Sequence, residues 1–140
     1  FDIASLLAMG ADWTNAARGY MFALGCVQSL SCHTNRCPTG VATQDPQRQK
    51  ALVVPDKAER VYNFHRLTLK ALAEMLAAAG LEHPNDLKPH HLSRRINDTE
   101  VRHFSEIHTY LKAGELLTGE RTPGFYTSNW SRASAERFGG

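Results

Sequence analysis

The sequence is short of cysteine, and the few it has stand close together. Three occur, Cys26, Cys32 and Cys37, and none elsewhere. An odd number leaves one thiol over from any pairing, and nothing marks the chain for secretion, so a disulfide is the weakest reading of them. Long apolar runs are lacking too. None approaches the length of a membrane span, and no signal peptide is visible, so a membrane is not an expected partner. Neither sign of charge is in large excess: 16 Lys and Arg stand against 14 Asp and Glu, and a net charge of +2 gives no argument for nucleic acid or an acidic membrane surface. There is no internal repeat and no low-complexity segment. Away from the cysteines no second chemical motif stands out, and no residue offers itself as a catalytic nucleophile or general base. The chain also lacks an initiating methionine. It opens on Phe1-Asp2-Ile3 in mid-pattern, which reads as a piece of something longer.

What is present suits one modest domain. The 140 residues, 42% hydrophobic and 21% charged, are enough for a real core in an ordinary globular composition. Clustered reduced thiols point to the cytoplasm.

The cysteines lie in the run Cys26-Val27-Gln28-Ser29-Leu30-Ser31-Cys32-His33-Thr34-Asn35-Arg36-Cys37-Pro38, with five residues between the first pair and four between the second. Three thiols in so short a stretch suggest a shared ligand, and thiolates are soft donors suited to an iron–sulfur cluster or zinc. Zinc would take His33 as fourth ligand, but structural zinc sites favour cysteine pairs two to four residues apart. His33 also directly follows Cys32, so both would have to reach one ion from adjacent backbone positions. Buried or incidental thiols, packing as small apolar groups, are a further reading. An iron–sulfur cluster ranks first. Cys37-Pro38 ends like a ferredoxin-type run, although that run carries four cysteines at a different spacing. Three protein thiolates leave one corner of a cubane unserved. That favours a three-iron cluster, or a four-iron cluster with an outside ligand at one iron.

Taken in order, the chain is mainly helical by pattern. Asp2 to Met9 reads as the end of a helix, with Ile3, Leu6 and Leu7 as its apolar face and Gly10 as its stop. Ala11 to Ala17 is short and reads as a strand running into a turn. Arg18 to Gly25 returns to helix, with Tyr20, Met21, Phe22 and Leu24 large and apolar. Val41-Ala42-Thr43 reads as extended. Asp45-Pro46 starts a brief helix, Asp45 as N-cap and Pro46 at the first helical position. From Pro55 to Ala79, apolar or small residues recur at Val61, Phe64, Thr68, Ala71, Leu72, Met75, Leu76 and Ala79, a helical spacing, and Gly80 stands where a C-cap glycine belongs. His65 in that helix reads as a packing residue. Leu81 to Leu92 reads as two short helical turns, with His90 and His91 on the surface. Asp98 or Thr99 is expected to cap a helix through about Lys112, with Val101, Phe104, Ile107, Tyr110 and Leu111 as its stripe. The tail carries Gly119, Pro123 and Gly124, then Phe125, Tyr126 and Trp130, aromatics that need a surface to dock on.

Ala23-Leu24-Gly25-Cys26, the cysteine spacing, Cys37-Pro38-Thr39-Gly40-Val41-Ala42-Thr43-Gln44-Asp45-Pro46 and Lys57-Ala58-Glu59-Arg60-Val61 together resemble the glutamate synthase family. The resemblance is to the end of its FMN-binding synthase domain, a (β/α)8 TIM barrel, and covers almost the whole chain. It implies that residues 1–25 are the last part of the barrel, with about one strand over Ala11 to Ala16. Residues 26–52 would form the cluster loop and residues 53–140 a helical C-terminal extension. It implies that Cys26, Cys32 and Cys37 ligate a 3Fe-4S cluster. In such barrels a phosphate sits near the loops after strands seven and eight, at a helix start. Asn15, Ala16, Ala17 and Arg18 are therefore candidates for the phosphate end of FMN, or else they merely cap a helix. The flavin-ring contacts, the other phosphate loop and the 2-oxoglutarate site are expected upstream of Phe1.

The implied reaction reduces 2-iminoglutarate, formed from 2-oxoglutarate and glutamine-derived ammonia, to L-glutamate. The electron donor would be an NAD(P)H-oxidising subunit or ferredoxin, and a glutaminase domain or subunit would supply ammonia. In the loop His33 to Arg36, backbone N–H groups and the Arg36 charge would tune the cluster. Two other readings stay open: an N-methylglutamate synthase-type relative, and a zinc-stabilised helical interaction module.

Overall fold

The computed structural model describes residues 1–118 and 123–137; Gly119 of the tail lies outside them. The chain divides into two compact units, Phe1–Lys88 and Pro89–Gly140. Among the described residues the structure is mostly helical, with one small antiparallel sheet. No helix among them is long and apolar enough to cross a membrane.

In the first unit, helix α1 (Asp2–Ala8) ends before Gly10, whose φ of 106° is the left-handed geometry that lets the chain turn off a helix. Its inward face is the expected one only in part: Ile3 and Leu7 are half-buried, but the most buried positions are others. Ala4, Ser5 and Ala8 are buried, while Leu6 is 45% exposed. Small side chains allow α1 to lie close against the long helix and against a 3-10 turn at Pro84–Asp86, and larger ones at those positions would hold it away. The burial has a cost: the Ser5 hydroxyl is enclosed with no hydrogen-bond partner among the described residues.

The strand expected over Ala11 to Ala16 is absent; those residues are irregular. A strand needs a neighbour to receive its N–H and C=O groups, and the described residues supply none there. Val41-Ala42-Thr43 is likewise not a strand but the end of a turn.

Helix α2 (Ala17–Leu24) packs on helix α4 (Val54–Ala78). The contact depends on Gly19, where a Cβ would stand 2.7 Å from Cζ of Phe64. Tyr20 meets Phe64 edge to face, ring centroids 5.0 Å apart at 80°, the arrangement aromatic quadrupoles favour. Between these helices the short helix α3 (Pro46–Gln49) starts as expected. The Asp45 carboxylate accepts from the N–H groups of Gln47 at 2.9 Å and Arg48 at 3.4 Å. Helix α4 runs within a residue of the expected span and ends on Gly80 at φ 70°. Its buried residue is Leu76, 6% exposed, with Leu72 half-buried and Leu69 51% exposed. Of the two expected turns, Pro84–Asp86 ends this unit and Pro89–His91 opens the second.

The second unit corrects the expected helix from residue 98 to 112. Strands β1 (Ser93–Arg95) and β2 (Val101–His103) pair antiparallel in the register Ser93 to His103, Arg94 to Arg102 and Arg95 to Val101. Only Phe104–Ile107 is helical (α5). The Asn97 side-chain oxygen accepts from the Thr99 N–H at 3.0 Å and lies 3.1 Å from the Thr99 hydroxyl. This local turn competes with helix initiation. The presumed stripe divides accordingly: Phe104 is buried and Val101 is 54% exposed. Helices α6 (Glu115–Thr118) and α7 (Gly124–Trp130) complete the unit. Tyr126 docks through its hydroxyl, which donates to the Thr109 carbonyl at 3.1 Å, whereas Phe125 and Trp130 remain exposed.

Leu76→Ala should destabilise the chain by about 2–5 kcal/mol, whereas Leu69→Ala should cost no more than about 0.5 kcal/mol. Urea unfolding of both variants checks the assignment of the inward face.

Candidate functional site

The three cysteines stand on a loop that leaves α2 and returns to α3. Gly25, at φ 106°, terminates α2. Its N–H donates to the Phe22 carbonyl at 2.9 Å and the Cys26 N–H donates to the Met21 carbonyl at 2.9 Å. That paired closure fixes where the first thiol leaves the helix. Cys32 opens a single 3-10 turn, Cys32–Thr34, steadied by the Thr34 hydroxyl donating to the Ser31 carbonyl at 2.7 Å. Among the described residues, the non-glycine positions with left-handed backbone are Gln28, Leu30 and Asn35, and all lie between the first and last cysteine. For Leu30 at φ 57° this is a true outlier, and strain of this kind collects in functional loops.

Cys37 is the most buried of the three. It is 6% exposed, while Cys26 is half-buried and Cys32 exposed, and all are free thiols. The Thr39 hydroxyl, 3.5 Å from Sγ, and then the backbone N–H groups of Ala42, Thr39 and Val41 lower the Cys37 thiol to about 7 against the opposing effect of burial. Hydrogen bonds to the charged form favour it, so this sulfur is prepared to act as a thiolate. No Asp or Glu stands between Asp12 and Asp45 in the sequence, whereas Arg18 and Arg36 do. The loop therefore opposes no negative charge with carboxylates of its own stretch.

The return to α3 is held by backbone contact. Gly40 lies at φ 77°, and a Cβ there would overlap the carbonyl oxygen of Arg48. Arg48 also reaches back, its guanidinium donating to the Arg36 carbonyl at 3.4 Å and pairing with Asp45 at 3.5 Å. Thr39, Thr43 and Arg48 were not legible as site residues from sequence. The one available signal was Thr43-Gln44-Asp45-Pro46, a capped helix start immediately after the last thiol.

The donor chemistry fits a soft, thiolate-bound group. The geometry places the thiols on one loop but does not converge them: among the described residues no three His, Cys, Asp or Glu side chains form a metal-holding group. His33 is exposed. The other candidates, Asn15 to Arg18, form the start of α2. Among the described residues no side chain caps that helix; Asn15, Ala17 and Arg18 are exposed and Ala16 is half-buried. Beside them is a cavity of about 370 Å³, lined among others by Leu7, Trp13, Ala16, Tyr20, His65 and Leu72.

Gly40→Ala should cost at least about 1–2 kcal/mol from the left-handed backbone alone, with the overlap against Arg48 adding to it. Thermal unfolding of that variant, compared with Gly124→Ala where a Cβ meets open space, measures it.

The family profile described as "Conserved region in glutamate synthase" matches residues 1–82, which include all three cysteines and α1 to α4. The chain is 44% identical over 105 residues to the glutamate synthase large subunit-like protein YerD of Bacillus subtilis, covering 75% of this chain and 20% of that protein. Against the large chain of the NADPH glutamate synthase of the same organism it is 31% identical over 117 residues, 82% of this chain and 7% of the relative. Against the archaeal NADPH glutamate synthase of Methanocaldococcus jannaschii it is 34% identical over 87 residues, 62% of this chain and 17% of the relative. The chain thus spans a fifth or less of these curated relatives. No solved structure matches it. With the profile running across α1 to α4 and the whole cysteine loop, the chain belongs to the glutamate synthase family of oxidoreductases.

Proposed function

We propose that this chain is the electron-entry end of a glutamate synthase-type iron–sulfur flavoprotein. In this reading residues 1–25 are the last part of an FMN-binding (β/α)8 barrel, residues 26–52 the cluster loop and residues 53–140 a C-terminal extension. Cys26, Cys32 and Cys37 ligate a 3Fe-4S cluster, and Asn15, Ala16, Ala17 and Arg18 receive the phosphate end of FMN. The observation that carries the reading is the cysteine loop itself. It bears three free thiols within the family-matched residues, the last of them buried among N–H and O–H donors.

When bound, the two groups supply the redox chemistry, single electrons through the cluster and hydride through FMN, for reduction of 2-iminoglutarate to L-glutamate. The protein residues hold and bias. The donors from Thr39, Val41 and Ala42 stabilise negative charge on the Cys37 sulfur, and hydrogen bonds to ligating sulfur are a general means of setting a cluster's potential. The exposed Arg36 and the absence of carboxylates from residues 13–44 act in the same direction. The uncapped N–H groups at the start of α2 favour an anion. The segment between Cys26 and Cys32, strained at Gln28 and Leu30, is the part that must adjust for three thiols to meet. The substrates are 2-oxoglutarate and glutamine-derived ammonia, the latter from a glutaminase domain or subunit. Electrons come from an NAD(P)H-oxidising subunit or ferredoxin, and a cytoplasmic setting keeps the thiols reduced.

Anaerobic reconstitution with iron and sulfide tests this. The chain should turn brown, bind both elements, and give a three-iron EPR signal on air oxidation. Stoichiometric zinc with no colour would end the reading. Cys32→Ser should lose the cluster, because a hydroxyl is a harder and far less acidic donor than a thiol; full iron content in that variant would remove Cys32 from the ligand set.

A further inference from the structure

Asn35 is the residue of the cysteine loop with the most hydrogen bonds to the strand of chain that follows. Its side-chain oxygen accepts from the Gln44 N–H at 2.6 Å. The Thr43 hydroxyl lies 2.9 Å from the same oxygen and 2.7 Å from the Asn35 carbonyl oxygen, sharing its one proton between them. Thr43 Oγ1 in turn accepts from the Asp45 N–H at 3.1 Å, and Asp45 caps α3. Residues 35 and 44 are therefore clasped, and the chain they enclose contains Cys37 together with Thr39, Val41 and Ala42, every residue that donates to its sulfur. Asn35 is also suited to its backbone. It sits at φ 61°, a conformation that Asn tolerates better than most residues because its short side chain can bond locally.

The clasp does more than close a loop. Without it the segment before Cys37 is held to the segment after by Arg48 on the Arg36 carbonyl, at a long 3.4 Å. The hydrogen bonds to the Cys37 sulfur all come from the turn that follows it. Those contacts last only while the turn stays folded over the sulfur.

We propose that Asn35 is the positioning residue for Cys37: its side-chain amide, through Thr43 and Gln44, holds the 36–43 turn closed so that the sulfur is presented buried and in one orientation. As a statement about a cluster ligand this rests on the function proposed above; as a statement about the thiol it does not.

The test uses the full chain and two readouts. The first is residue-resolved alkylation of the metal-free chain by iodoacetamide, followed by mass spectrometry, with each rate taken at its high-pH plateau, where the thiols are fully ionised and only access to the sulfur differs. Asn35→Gly keeps the left-handed backbone and deletes the acceptor. It should raise the Cys37 rate by about tenfold, the size expected when hydrogen bonds of ordinary strength are lost from a local opening equilibrium, while the already exposed Cys32 changes by less than about twofold. Asn35→Asp keeps an acceptor oxygen and should restore the slow rate. Thr43→Val should give a Cys37 effect in the same direction, and the double variant should add little to either single one, as expected for partners in one network. The second readout is iron release to a chelator from the reconstituted chain, faster in Asn35→Gly and near wild type in Asn35→Asp. Unchanged Cys37 alkylation in Asn35→Gly, with circular dichroism showing its helices intact, would overturn the proposal. Failure of the wild-type chain to take up iron would instead overturn the cluster reading, and the alkylation rates would still decide the role of Asn35.

Discussion

Gly40 is where two pieces of backbone touch with no room for a side chain between them. Its left-handed φ turns the chain after Cys37 directly onto the Arg48 carbonyl. Because the approach is backbone to backbone, no rotamer change can relieve it. The consequences spread both ways along the chain. Forward, it sets α3 against the cysteine loop, with Asp45 capping the helix and Arg48 reaching back to Arg36. Backward, it shapes the turn after Cys37, from which Thr39, Val41 and Ala42 reach one sulfur. The chemistry of the site is therefore set by main-chain geometry, and only then by the side chains that complete it.

A second glycine does similar work on the other side of the loop. Gly19 lets α2 approach Phe64 of α4 at a distance a methyl group would not permit. The cysteine loop leaves the far end of α2, at Gly25, and α4 begins soon after α3 closes the loop. The two ends of the site are thus tied to one helix pair. Loops that carry function commonly depend on a rigid scaffold of this kind, and here the scaffold consists of one backbone-to-backbone approach at Gly40, one approach of backbone to an aromatic ring at Gly19, and one edge-to-face aromatic contact.

Much of this was legible in the sequence where the determinants are local. Asp45-Pro46 announces a helix start because a carboxylate and a ring-locked φ suffice to make one. Gly25 and Gly80 announce helix ends because few other residues turn left-handed at low cost. The thiols announce themselves by clustering. What escaped was set by partners distant in sequence. The apolar pattern from Val101 to Leu111 fits a helix, and only the side-chain turn at Asn97 and a pairing with residues 93–95 make it a hairpin. The deepest positions of α1 are Ala4, Ser5 and Ala8, with the expected Ile3 and Leu7 only half-buried beside them and Leu6 outside, because close packing selects small residues at the contact. Nor does any spacing rule show that Asn35 folds back on Gln44, which is what separates Cys37 from the other two thiols.

The hairpin of the second unit has a consequence of its own. A two-stranded sheet has two outer edges, each with main-chain groups free to recruit a strand from another molecule. All six of its strand residues are exposed, and three of them are Arg94, Arg95 and Arg102. Arg94 and Arg102 stand directly opposite one another, a like-charge pairing that weakens the hairpin itself, and Arg102 is partly relieved by its ion pair with Glu100. The same guanidinium groups make the edge a poor template for self-association, since a second copy would bring its own arginines to the same place. The hairpin thus gives up some intrinsic stability for colloidal behaviour, and that protection is electrostatic. It weakens as salt shortens the reach of the charges, so the edge is best guarded at low ionic strength.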